Sequence, residues 1–264
     1  TPVPDPLIKD WSLDPFYEKY LDAEGLPILS SSKVDDHALL EARYLINQML
    51  KGREDIRSAL IKNQFRFTVM AFNEFTTDVP EHRDLTPTDF WDRLARGLGP
   101  TRVRPSVSCG EENLLKYPGD PYHAENILIH EFAHAIHEGL KSVDADFDST
   151  LKSIYQAAME SGLWKEKYAS NNRSEYWAEC VQSYFGDNRE NDHDHNHVNT
   201  RKEMKQYDPD VFQLIDATFK GNPWQYIAPS KRKTPAHLKG YDAKSAPRFV
   251  WPERLQDALT RKEE

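Results

Sequence analysis

Apolar residues recur at helical spacing along most of this chain and alternate in one stretch. Leu39, Leu40, Ala42, Leu45, Ile46, Met49 and Leu50 fall on one helical face, with Asp35-Asp36 before them as a cap and Gly52 after them as a stop. A shorter helical piece covers residues 54–61. Over residues 65–72 apolar and polar positions alternate and aromatic and β-branched types dominate, which predicts a strand. Residues 73–108 are broken by Pro80, Pro87, Gly97, Gly99, Pro100 and Pro105, around a short helix over 88–95. Residues 103–107 form a candidate edge strand, weakened by Pro105, and residues 109–113 read as a polar turn.

Helical spacing dominates the second half. Ile129, Phe132, Ala133 and Ile136, widened by Leu128 and Ala135, predict a largely buried helix that starts at Asp120-Pro121 and stops at Gly139. Another runs from Asp148 or Ser149 to Gly162, and residues 174–185 form a third, at least half buried through Trp177, Ala178, Val181 and Phe185 and ended by Gly186. Asp208-Pro209 opens a fourth that reaches Gly221. The five prolines of residues 1–33 suggest an extended N-terminal arm, and the proline-punctuated residues 222–264 a wrapping C-terminal tail around a unit at 34–221. The fold class is therefore α+β and mainly helical.

Composition narrows this little. Mean hydropathy of -0.77 is polar, but 6 Trp, 12 Tyr and 12 Phe supply core material, so the chain is not of a disordered type. A formal charge of -9 gives a nucleic-acid or anionic-membrane partner no support, and no apolar run approaches a membrane span. The start at Thr1 suggests a removed export signal and a secreted or extracellular location. Cys109 and Cys180 are expected either as one disulfide or as two buried thiols.

The chemistry concentrates at His130-Glu131-Phe132-Ala133-His134. Positions four apart share a helix face, so both imidazoles can reach one zinc ion, and Glu131 beside them can act as general base on a metal-activated water. His137 shares that face and is a lesser candidate, expected to bond locally. A catalytic zinc needs a third protein ligand; Glu175 and Glu179, four apart on the 174–185 helix, both qualify, with the other left to support a ligating histidine. His193, His195 and His197 alternate with polar residues in a loop that either chelates a second metal, rims the cleft or is merely solvated.

The set His130-Glu131-Phe132-Ala133-His134, Tyr168 and Glu175-Tyr176-Trp177-Ala178-Glu179 resembles the catalytic domain of anthrax lethal factor and the Pro-Pro endopeptidases, which are glutamate zincins. The likeness is confined to about residues 122–186. It implies a zincin-like fold with a small strand-bearing upper lobe and a helical lower lobe. It also implies that Glu175 is the third zinc ligand, that Glu179 lies behind the ligands, and that Tyr168 donates a hydrogen bond to the oxyanion. The implied activity is zinc-dependent hydrolysis of peptide bonds in a peptide or protein substrate. A zinc hydrolase of a non-peptide amide or ester is the first alternative, and a zinc-stabilised binding domain without turnover the second.

Overall fold

The computed structural model describes residues 1–233 and 235–259. It is an α+β fold, about 47% helical with a small sheet of four strands among the described residues. The chain opens with helix α1 (Asp5–Trp11) and strands β1 (Lys19–Ala23) and β2 (Leu26–Ser30). Helices α2 (Asp36–Met49) and α3 (Glu54–Lys62) precede β3 (Arg66–Met70), and α4 (Thr88–Leu94) precedes β4 (Ser106–Gly110). Helices follow from there: α5 (Glu111–Leu115), α6 (Ile127–Val143), α7 (Phe147–Glu160), α8 (Arg173–Phe185), α9 (Arg201–Tyr207), α10 (Pro209–Thr218) and α11 (Glu253–Gln256).

The sheet order is β1-β2-β3-β4, with β1 antiparallel to β2 and the other pairs parallel. Residues 1–33 are thus built into the sheet instead of forming an extended arm. Glu24 and Gly25, with φ of 55° and 92°, make the two-residue turn that lets β1 and β2 pair as a hairpin. Pro27 lies outside the β2–β3 register, so its missing N–H interrupts no bond there. Helix α1 covers the hairpin through Leu7 and Trp11, which pack on a small cluster of Val3, Leu13, Tyr17 and Leu29.

Helix α6 is the centre of the main core, packed against the sheet, α3 and α8. Phe132 meets Phe67 of β3 edge to face at 4.9 Å. This helix is shifted from the sequence expectation at both ends. Asp120 caps only a turn, accepting from Tyr122 N at 2.9 Å, and the helix cap is Asn126. Gly139 does not stop the helix; a Cβ there would lie 3.2 Å from Leu60 Cδ2, so the glycine instead lets α3 approach closely. The edge strand also moves, from 103–107 to Ser106–Gly110, because Pro105 can only precede it; the expected polar turn at 109–113 becomes the end of β4 and α5.

Cys109 on β4 and Cys180 on α8 are both buried free thiols, so the disulfide alternative does not hold. The tail after residue 221 does wrap the body: Leu238 joins the main core, Phe249 N donates to Pro118 O at 2.8 Å, and Arg232 and His237 both bind the buried Glu41 of α2. Part of that tail, Thr234 and residues 260–264, lies outside the described residues. Among the described residues no helix is long and apolar enough to cross a membrane.

Candidate metal centre

Three of the N–H groups at the start of α6 are tied down by side chains. Asn126 Oδ1 accepts from Ile129 N at 3.3 Å, Asn126 N donates to Asp187 Oδ2 at 3.0 Å, and Ile127 N donates to Asn113 Oδ1 at 2.8 Å. One turn further on, His130 and His134 project from the same face. Helix α8 lies against α6, pinned by Trp177 Nε1 donating to Ala133 O at 2.8 Å. Its cap Asn172 accepts from Ser174 N and Glu175 N, which fixes Glu175 in the first turn of α8, opposite the histidines.

The result is a compact donor set. Glu175 Oε2 lies 3.1 Å from His130 Nε2 and 3.5 Å from His134 Nε2, and the two Nε2 atoms are 3.2 Å apart. Bonds of ~2.0–2.1 Å in a tetrahedral zinc shell set neighbouring ligand atoms roughly 3.3–3.4 Å apart. These three residues therefore fit a zinc ion with little adjustment, and among the described residues they are the group that could hold a metal. Burial works against a charged Glu175, but its hydrogen bonds to His130 and His134 outweigh that and hold its carboxyl well below the usual range. The set therefore offers a cation one carboxylate and two imidazoles.

Each histidine is oriented through its other nitrogen. His130 Nδ1 is 2.7 Å from Gln182 Oε1, and Gln182 Nε2 donates to Glu125 Oε2 at 3.1 Å. A carboxylate can only accept, so the amide nitrogen must face Glu125 and the amide oxygen must face His130. Nδ1 then carries a proton toward Gln182, which leaves Nε2 as the atom that would turn its lone pair to a metal in place of its contact with Glu175. His134 Nδ1 lies 3.0 Å from Ser174 Oγ. Glu179 stands behind His130, with Oε1 3.4 Å from Nδ1; burial opposes its charge, yet hydrogen bonds with His130 and His195 draw its pKa down to about 2.

These donors sit in a cavity of about 520 Å³ that Glu131 and Tyr168 also line. The Glu131 carboxylate makes no hydrogen bond or ion pair to another described residue. Burial raises its pKa, against the lowering effect of His130 and His134. Tyr168 begins a 3-10 turn (Tyr168–Ser170), is 40% exposed, and has its ring 6.2 Å from that of His130.

The segment 95–100 also lines the cavity. Gly110 N donates to Arg96 O at 2.9 Å and Ser108 N to Leu98 O at 3.0 Å, so the segment runs antiparallel to β4 as an irregular rim of the sheet. Successive residues of such a pair turn their backbone groups to opposite sides, so the N–H and C=O groups of Gly97 and Gly99 point away from β4, and both glycines line the cavity. Neither residue hydrogen-bonds to another described residue. Both must be glycine: a Cβ on Gly97 would meet Ile127 Cγ2 at 2.4 Å, and one on Gly99 would meet the His134 ring at 2.9 Å.

His137 bonds locally to Asp148 at 2.9 Å. The histidine loop does not converge on a second metal. His193 has a side chain 97% exposed, His197 packs on Tyr207, and His195 is buried against Glu179. The sequence reading missed Ser174 and Gln182. A signal for Gln182 existed, since Glu175, Glu179 and Gln182 fall at i, i+4 and i+7 and form one polar stripe along the helix. No protein-family model and no curated protein matches the sequence.

Proposed function

We propose that this chain is a zinc-dependent metallopeptidase of the glutamate zincin type, with His130, His134 and Glu175 as the zinc ligands. The observation that carries the reading is the set of three ligand atoms 3.1–3.5 Å apart on the floor of a cleft. Zinc, when bound, supplies a Lewis acid that acidifies water and polarises a carbonyl. Glu131, inside the cavity and with no competing partner among the described residues, accepts the proton of the attacking water and returns it to the leaving amine. Tyr168 donates its hydroxyl proton as a hydrogen bond to the developing oxyanion, and Glu179 and Gln182 hold His130 in register.

The cleft wall favours a peptide over another amide or ester. The unpaired backbone groups of Gly97 and Gly99 match the repeating ones of an extended peptide laid along the rim, where a single amide or ester could engage only one of them. Incubating a proteome-derived peptide library with zinc-loaded and with chelator-treated protein tests this. Cleavage that disappears with the chelator and returns with zinc is expected. Intact zinc binding without cleavage would overturn the peptidase and leave the non-peptide hydrolase or the binding domain.

A further inference from the structure

The ring of His195 is 5% exposed and uses both nitrogens: Nε2 lies 3.1 Å from Glu179 Oε2 and Nδ1 2.8 Å from Asp192 Oδ1. Glu179 in turn reaches His130. Asp192 Oδ2 ion-pairs with Arg189 at 3.2 Å, and Arg189 Nε lies 3.0 Å from Glu125 Oε1 as a charge contact. Glu125 takes the amide of Gln182, whose oxygen returns to His130. The side chains thus close a ring that begins and ends on His130 Nδ1; Asp192 and His195 bring the 191–197 loop into it, and His195 is the member of that loop that touches Glu179. The same loop holds the catalytic tyrosine segment, because Asp194 O accepts from Tyr168 N at 2.8 Å and Lys167 Nζ donates to Asp192 O and His193 O, each at 3.1 Å.

We propose that His195 is a positioning residue of the metal centre, acting through Glu179, and that its loop sets the metal shell and Tyr168 relative to each other. This rests on the metallopeptidase reading above. Glu179 is buried, and its carboxylate is satisfied by His195, by Asn188 Nδ2 at 3.0 Å and by His130. Removing His195 leaves that carboxylate short of a charged donor, free to turn and to release the His130 ring.

The test compares the full chain with its His195→Ala, His195→Gln, His195→Asn and His193→Ala variants. Zn2+ affinity is read by chelator competition, and the visible spectrum is read after Co2+ loading. Outer partners of metal ligands contribute about 10- to 100-fold in affinity, so His195→Ala is expected to bind Zn2+ that much more weakly, with a changed Co2+ spectrum. His195→Gln, which still reaches Glu179 with an N–H, recovers most of the affinity; His195→Asn, which is shorter, does not; His193→Ala matches wild type. Added to Glu179→Ala, the His195→Ala change costs less than about 2-fold more, because the two act in series. Wild-type affinity and an unchanged Co2+ spectrum in His195→Ala, or in His195→Asn if the alanine variant does not fold, would overturn the proposal while leaving the zinc site standing. A wild-type chain that binds no Zn2+ would overturn the metallopeptidase reading itself and this proposal with it.

Discussion

Glu131→Gln is expected to keep its zinc and to lose about 100- to 10,000-fold in kcat, the usual worth of a general base. The side chains are nearly the same shape, so nothing in the donor set of His130, His134 and Glu175 has to move. What changes is proton affinity, because an amide cannot take a proton from water. Burial already raises the Glu131 pKa, with His130 and His134 pulling the other way, and a base tuned upward toward neutrality transfers protons more effectively than an ordinary exposed glutamate. Turnover of a cleaved peptide and zinc content, measured on the same preparation, check this together. Activity within about 10-fold of wild type would remove Glu131 from the role of base.

The second large effect is on stability. Arg96→Ala is expected to destabilise the chain by about 3–5 kcal/mol in urea unfolding. Both partners of the Arg96–Glu112 pair have side chains at 0% exposure, joined by two bonds of 2.6 and 3.0 Å, and Arg96 also donates to the carbonyls of Glu74 and Ala71. Taking the guanidinium away leaves the Glu112 carboxylate as an uncompensated charge in the interior, which is far costlier than the net worth of the pair. It also loosens the anchor of the 95–100 rim, whose Arg96 carbonyl pairs with Gly110. Arg96→Lys should recover only part of the loss, since an ammonium cannot match the bidentate geometry. A change below about 1 kcal/mol, the range of an exposed pair, would contradict this account of the rim.

The donor set was legible in the sequence because helix geometry converts spacing into placement. His130 and His134 at i, i+4, and Glu175 in the first turn of a helix capped by Asn172, needed only that α6 and α8 pack against each other. The apolar faces of those two helices made that packing predictable. The resemblance to glutamate zincins separated Glu175 from Glu179, which spacing left equivalent; Glu175 lies at His130 Nε2 and Glu179 at Nδ1. The strand-bearing part was less legible. Its β1–β2 hairpin hides behind prolines, and its turn is Glu24-Gly25, weaker than the Asn-Gly or Asp-Gly signal that marks such turns. The rim at 95–100 has no strand propensity of its own; it is placed by a buried arginine and by two glycines whose need appears only when α6 lies beneath them. The ring through His195 joins residues from α6, α8 and two loops, contacts of long sequence separation that no local pattern encodes.

The most direct measurement is Zn2+ titration of metal-stripped wild type and of Glu175→Ala, read as stoichiometry and affinity. Our account predicts one zinc per chain for wild type, and in the variant a loss of affinity beyond the about 10- to 100-fold typical of an outer partner. No zinc bound by wild type, or equal affinity without Glu175, would contradict it.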